Sequence, residues 1–334
     1  MRYIVLFLAM ALWAGGCSRS VMKWYYQTNV IADDYRYGDL YRLSNLPQFK
    51  DPQTTCRNSA IHSPNLLGDT ANTHLYLIGD SFTEYPRIDQ RDFQVSHYHY
   101  VHWDKRSEVQ LDNSKRNILL LETVERHFRE HFSRPVAEIT IVADTTKREA
   151  PEPVSWKRQL FDQIQSKGIE ERLETVLFSQ DLFLWFKELK ASINLNWFDR
   201  VPPTVGISRD RQHLFVDLDT DTTKHLNSSF APLSDQEVNA LVDSVNATAD
   251  QFQKQGFDAV YLSIIPNKAS ILDPSQGPYN HLIERIQQHP RLRVPFSDVY
   301  SIYVKQPKQV YAVGDSHWNC TGRALWLTSV NKLF

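Results

Sequence analysis

The tripeptide Gly-Asp-Ser occurs twice, as Gly79-Asp80-Ser81 in LYLIGDSFTE and as Gly314-Asp315-Ser316 in VYAVGDSHWN. A serine acts as a nucleophile when a base takes its proton and an acid holds that base in the right tautomer. Ser81 has the nucleophile's setting, immediately past an apolar run on a turn opened by Gly79. His317 and Asp315, one residue apart, supply the base and the orienting acid. Ser316 lies between them, and adjacent side chains on an extended loop diverge. It is therefore expected to face away from the imidazole, which makes the second Gly-Asp-Ser an accidental likeness. Asp80, Trp318 and Asn319 flank the three and are candidates for oxyanion or substrate contacts.

Other residues compete for attention. HFREH, His127 to His131, fits H-x-x-E-H, in which two histidines one helical turn apart bind zinc and a glutamate activates water. It carries the zinc metallopeptidase alternative. No third ligand is identifiable, and Val124, Phe128 and Phe132 place an amphipathic helix there with its polar residues outward. His97, His99 and His102 lie on a strand whose alternation puts the first two on one face and the third on the other. No metal and no cofactor is expected. Of Trp103, Trp156, Trp185, Trp197 and Trp318, Trp185 is assigned to the core and Trp318, beside the base, to the cleft.

GDSF early in the chain and D-x-H-W-N near its end resemble the SGNH hydrolase superfamily of esterases, lipases and carbohydrate acetyl-group enzymes. NILLLETVERHF and IIPNKASILDP are similar to its periplasmic branch that includes the alginate O-acetyltransferases. The resemblance spans most of residues 74–334. It implies an α/β three-layer sandwich with a mainly parallel central sheet (SGNH/flavodoxin-like), with Ser81 as nucleophile, His317 as base and Asp315 as acid. It further implies an exported acetyltransferase or esterase that acts on a carbohydrate through an acyl-serine, with a membrane acyl-donor protein as a partner. Two departures stand out. The Gly-x-Asn-Asp block that feeds the oxyanion hole is missing, the matching strand ending in Glu122-Thr123, and the Asp-His pair follows the serine where the alginate enzymes carry it before. A non-catalytic carbohydrate-binding or assembly protein with a vestigial site is the alternative.

The elements that must position these residues follow from periodicity. HLYLIGD, FQVSHYHYVHW, NILLLE and FDAVYLSIIPNK read as strands. SDQEVNALVDSVNATADQFQKQG reads as a helix with a capping box at Ser234 and Glu237 and a stop at Gly256. YNHLIERIQQHP is a further helix, and EITIVAD, RLRVPF and QVYAVGD are extended pieces. Alternating strands and helices give a parallel sheet whose ligands lie at the carboxyl ends of the strands, and both Gly-Asp-Ser copies are expected at such ends. Residues 17–73 form an irregular lead-in packed on the 74–334 catalytic domain. Residues about 135–230 break the pattern as a helical insertion, in which Leu160, Phe161, Ile164, Leu182, Trp185, Phe186 and Leu189 recur on helical faces.

The chain has 334 residues, 42% apolar and 23% charged, with a formal charge of −2. No basic excess exists to neutralise a phosphate backbone, so nucleic acid is excluded as a partner. Residues 1–16 read as an export signal, because the apolar run Tyr3 to Trp13 is too short to span a bilayer. Ala14-Gly15-Gly16-Cys17 resembles a bacterial lipoprotein signal, which implies lipid on Cys17 and a membrane-tethered periplasmic protein. That leaves Cys56 and Cys320, which pair or stay apart as two loop thiols.

Overall fold

The computed structural model describes residues 2–27, 37–40, 42–51, 56, 72–142, 156–157, 164, 168–178 and 181–334. Helices α1 (Arg2–Cys17) and α2 (Arg19–Gln27) come first, then strands β1 (Thr73–Gly79), β2 (His97–His102), β3 (Ser107–Val109) and β4 (Arg116–Val124). Next are α3 (Glu125–His131), β5 (Ile139–Ile141), α4 (Ile169–Phe178), α5 (Asp181–Phe198) and a hairpin of β6 (Val205–Ile207) and β7 (Leu214–Val216). The chain continues through α6 (Asp217–Thr220), α7 (Asp235–Lys254), β8 (Ala259–Ile265), α8 (Lys268–Leu272) and α9 (Leu282–Gln287). It closes with β9 (Phe296–Ser297), α10 (Val299–Val304) and α11 (Cys320–Val330).

Five strands form an all-parallel sheet in the order β2-β1-β4-β8-β9. A parallel sheet needs cover on both faces, so its strands read as unbroken apolar runs. Strand β4 shows the division: Leu119 and Leu121 enter the core beneath α3, α7 and α9, while Ile118 and Leu120 enter the core beneath α10 and α11. The architecture is thus the three-layer α/β sandwich expected. Strand order reverses between β1 and β4, and ligands of such sheets collect in the crevice outside the strand ends at that reversal. Ser81 follows β1 there.

Several elements depart from expectation. EITIVAD does form a strand, but β5 pairs with β3 in a separate two-stranded ribbon. RLRVPF contributes only β9. QVYAVGD is not a sheet strand: Tyr311 and Trp318 make a single antiparallel bridge that closes the loop between them. The second Gly-Asp-Ser therefore sits on a pinched loop, not at the end of a sheet strand. Ser234 caps α7 by accepting from the Glu237 N–H at 3.2 Å, but the Glu237 carboxylate meets Arg129 at 2.6 Å. On α3, Phe128 is buried as expected, yet Glu125, Arg126 and Arg129 are buried with it because α7 and α6 bring Glu237 and Asp219 against the two arginines.

The described part of the lead-in packs against the insertion: Leu40, Leu43, Leu46 and Phe49 share a core with Leu195 of α5, Val205 and Leu214. That contact turns Ala191 and Leu195 inward, so the opposite face of α5 is left outside, and Trp185 is 56% exposed instead of core. Phe186 and Leu189 are exposed as well. Leu160 and Phe161 lie outside the described residues.

Cys56 and Cys320 are joined by a disulfide across 264 residues of sequence, with Cα atoms 5.2 Å apart. Closing so long a loop removes denatured-chain entropy worth roughly 5 kcal/mol at most. Oxidised protein denatured without reductant should therefore expose no thiol beyond Cys17, and Cys56→Ser should lower the melting temperature by several degrees. Two additional reactive thiols in the unreduced protein would contradict the pairing.

Candidate active site

Strand β1 delivers Ser81 through a turn that only glycine can open. A Cβ on Gly79 would lie 2.2 Å from Thr83 Oγ1 and 2.7 Å from Glu122 Oε2, closer than real carbon atoms approach. Asp80 then locks the turn: its carboxylate accepts from the N–H of Phe82 at 2.9 Å and of Val124 at 2.8 Å, and its own N–H donates to Glu122 Oε2 at 3.0 Å. Both carboxylate oxygens of Asp80 are thereby engaged by backbone donors. Thr83 Oγ1 donates to Glu122 Oε2 at 2.6 Å. Complete burial, with Asp80 beside it, holds the Glu122 carboxyl well above the usual range.

Ser81 Oγ lies 2.8 Å from His317 Nε2, and His317 Nδ1 lies 2.6 Å from Asp315 Oδ1. These are hydrogen-bond distances for a nucleophile, base and orienting acid in sequence. The carboxylate assigns the ring proton to Nδ1, which leaves Nε2 to accept from Ser81. Phe82 supports the imidazole from one side, its ring centroid 4.6 Å away. The Ser81 N–H donates to no acceptor among the described residues and points to the first oxyanion donor.

The loop that carries Asp315 and His317 is fastened from three directions. Asp315 Oδ1 also accepts the His317 N–H at 2.8 Å. Buried Lys268, the first residue of α8 just past β8, donates to the Val313 carbonyl at 2.7 Å and the Asp315 carbonyl at 3.0 Å. Burial pushes its pKa down to about 7, against the pull of Asp315 and Asp39. From the lead-in, Ser44 Oγ donates to the Gly314 carbonyl at 2.7 Å, and Asp51 accepts the Val313 N–H at 3.2 Å.

The lead-in also supplies a residue that the sequence did not disclose. Asp39 Oδ2 lies 3.3 Å from His317 Nδ1, so two carboxylates share one ring N–H. The residue before it has to be glycine, because at Gly38 the backbone is left-handed, with φ +141°, and a Cβ would lie 2.3 Å from the Gly314 carbonyl oxygen. Asp39 is fixed by Ser316, whose N–H donates to Oδ1 at 2.7 Å and whose hydroxyl donates to Oδ2 at 2.5 Å. Ser316 therefore does not face away from the site; its Oγ lies 3.5 Å from Nδ1, and the second Gly-Asp-Ser is a working part that anchors the second acid. Burial of the ring disfavours the imidazolium, but the hydrogen bonds and charges of Asp315 and Asp39 outweigh it and raise the His317 pKa above the ordinary value. Burial of Asp39 opposes its charge too, yet its bonds to His317 and Ser316 prevail and hold it well below the usual carboxylate range.

Arg87 was missed as well. It donates to the Ser81 carbonyl at 3.1 Å and so fastens the Ser81 turn; its second Nη comes to 3.4 Å from His317 Nδ1, a donor facing a donor that makes no hydrogen bond once Nδ1 carries the ring proton. No motif marks Arg87 or Asp39; only the fold brings them in.

Trp318 and Asn319 carry structural contacts. Trp318 is 6% exposed, edge-on to Phe82 at 5.1 Å and packed on Trp326, and Asn319 caps α11 by accepting from the Thr321 and Gly322 N–H groups. The zinc reading of HFREH fits poorly: His131 stacks on Trp103 at 4.0 Å, and its Nδ1 is engaged by Thr123 Oγ1 at 2.8 Å. His97 and His99 stack on one face as the alternation requires. Asp39, Asp315 and His317 group their donor atoms within 4.8 Å. A metal held at about 2.0–2.2 Å from each tetrahedral ligand would keep donors roughly 3.4 Å apart. The 2.6 Å Asp315–His317 contact fits a proton instead.

Among known families, curated proteins and solved structures, nothing matches this chain.

A shared Nδ1–H makes a kinetic prediction. The acid limb of a kcat/KM profile reports the base of the free enzyme, so it should lie above the ordinary histidine range. Asp39→Asn removes one source of the raised pKa and should move the limb to lower pH. It should also lower kcat/KM by roughly ten-fold, the low end of what a charge-assisted hydrogen bond is worth. Ser316→Ala, which leaves the backbone donor to Asp39 in place, should cost only a few-fold. An Asp39→Asn profile superimposable on wild type would show that Asp39 does not act on the base.

Proposed function

We propose that the chain is an exported serine-dependent acyl transferase or esterase that acts on acetyl groups of a carbohydrate. The observation that carries the reading is the continuous relay from Ser81 Oγ through His317 to Asp315, at 2.8 Å and 2.6 Å. His317 Nε2 takes the Ser81 proton as Oγ attacks the ester carbonyl carbon, and the carbonyl π electrons move to oxygen. The resulting oxyanion rests on the Ser81 N–H. Collapse expels the alcohol of the donor, which leaves with the proton from Nε2, and the acyl group remains on Ser81. An incoming hydroxyl then gives its proton to Nε2, attacks the acyl carbon, and the proton returns to Ser81 Oγ. A sugar hydroxyl as acceptor makes the reaction a transfer, and water makes it hydrolysis.

The carbohydrate and the acetyl group rest on the resemblance of GDSF and D-x-H-W-N to SGNH enzymes, as does the idea that a membrane protein donates the acyl group. The Cys56–Cys320 disulfide supports an oxidising compartment, because cytosolic thiols are kept reduced. Helix α1 rises about 24 Å over its 16 residues, short of a hydrocarbon core of about 30 Å. No helix among the described residues is long and apolar enough to cross a membrane. The export signal and lipid on Cys17 belong to this proposal.

Purified protein should hydrolyse a chromogenic acetyl ester and be labelled on Ser81 by a fluorophosphonate, as read by mass spectrometry. Ser81→Ala and His317→Ala should each lose roughly three or more orders of magnitude in turnover, with unchanged far-ultraviolet circular dichroism. Asp315→Asn should be less complete, since Asp39 still contacts Nδ1. Label on another residue, or full activity in Ser81→Ala, would refute the proposal.

A further inference from the structure

Helix α5 has two apolar faces, and only one is used. Ala191 and Leu195 pack into the core shared with the lead-in, and Glu188, beside them, accepts from Asn45 Nδ2 at 2.9 Å. Trp185, Leu189 and Trp197 recur at spacings of four and eight residues on the opposite side, with Phe186 next to them. All four are exposed, Trp197 to 78%. Lys190 is exposed within this stripe, and Arg200 lies over the Phe198 ring just past the helix end. Apolar and aromatic side chains interleaved with cations suit the boundary between headgroups and acyl chains, and helices of this kind lie in the plane of a membrane surface.

The neighbouring elements indicate what covers the stripe. Helix α1 exposes Tyr3, Ile4, Val5, Leu6, Phe7, Leu8, Met10 and Trp13, an apolar surface on nearly every side. A helix apolar all round is stable only where something apolar surrounds it. It is seated on the same insertion: a Cβ on Gly16 would touch Leu173 of α4, Arg172 Nε donates to the Gly16 carbonyl at 2.8 Å, and Ser18 bridges Ile164. The basic residues Arg19 and Lys23 follow at once. Two exposed apolar surfaces, each edged with cations, thus belong to one insertion.

We propose that α5 is a membrane-docking element: its Trp185–Leu189–Trp197 face lies in the headgroup region of an anionic bilayer beside the N-terminal anchor, which is α1 in the full chain and the lipid on Cys17 once residues 1–16 are removed. Since α5 also holds the lead-in that delivers Asp39, the bilayer surface is one packed layer from His317. This inference does not depend on the chemistry assigned to Ser81.

The test uses the full chain with Cys17→Ser, its disulfide intact, carrying an environment-sensitive NBD label at Leu189→Cys or, as control, at Lys254→Cys on exposed α7. Both are reconstituted with phosphatidylethanolamine/phosphatidylglycerol vesicles, and flotation establishes that each protein is bound. The label at position 189 should shift to the blue and brighten several-fold on vesicle binding, and brominated lipids should quench it, while the label at 254 stays unchanged. Unshifted emission at 189 in protein that floats would overturn the proposal, because α1 alone would then make the contact. A shift that appears without lipid and grows with protein concentration would overturn it in favour of a second copy of the chain.

Discussion

One imidazole N–H organises this molecule. His317 Nδ1 faces Asp315 from its own loop and Asp39 from the opposite end of the chain, and the second contact exists only if the lead-in is folded onto the catalytic loop. Several contacts of the described lead-in serve that approach. Gly38 admits the close approach, Ser44 and Asp51 fasten the loop backbone, and the Cys56–Cys320 disulfide ties the two segments where the loop enters α11. A base held by two anions is a stronger base, and one held in a single orientation wastes no time misaligned. The cost is two partly desolvated carboxylates beside one ring, which Ser316 helps to offset with two directed donors to Asp39.

The buried ionisable groups under the site show how a low-dielectric sheet end tolerates polar chemistry. Burial and the neighbouring Asp80 raise the Glu122 carboxyl above its ordinary value, so charge is disfavoured there under the turn that presents Ser81. Burial likewise pushes Glu125 up to about 7, and it accepts from the Asn267 N–H and the Ser270 hydroxyl to fix the β8 turn that carries Lys268. In each carboxyl group one oxygen takes backbone and hydroxyl donors while the other, Oε1, is buried without a partner.

Much of this was legible in the sequence because it is local. Strands β1, β4 and β8 are continuous apolar runs, and the Ser81, Asp315 and His317 types and order are explicit. What escaped is long-range. Nothing near Asp39 signals that residue 316 will bind it 277 positions later, and Ser316 turns toward the imidazole because a Tyr311–Trp318 bridge pinches a loop that residue spacing alone reads as extended. Trp185 was misplaced for a related reason: helical periodicity reveals that a face is apolar, but not whether protein covers it. Asp80, Trp318 and Asn319 sit beside Ser81 and His317 in sequence, and each makes a hydrogen bond or ring contact that only the fold provides.

The central claim, that two carboxylates share the Nδ1 proton and so leave Nε2 for Ser81, can be read directly by nitrogen-15 NMR of histidine-labelled protein. Above its pKa, His317 should show the Nδ1-protonated tautomer with a far-downfield, slowly exchanging proton. That resonance should vanish in His317→Ala and move upfield, without vanishing, in Asp39→Asn. An Nε2-protonated His317, or a proton resonance indifferent to Asp39, would contradict the account.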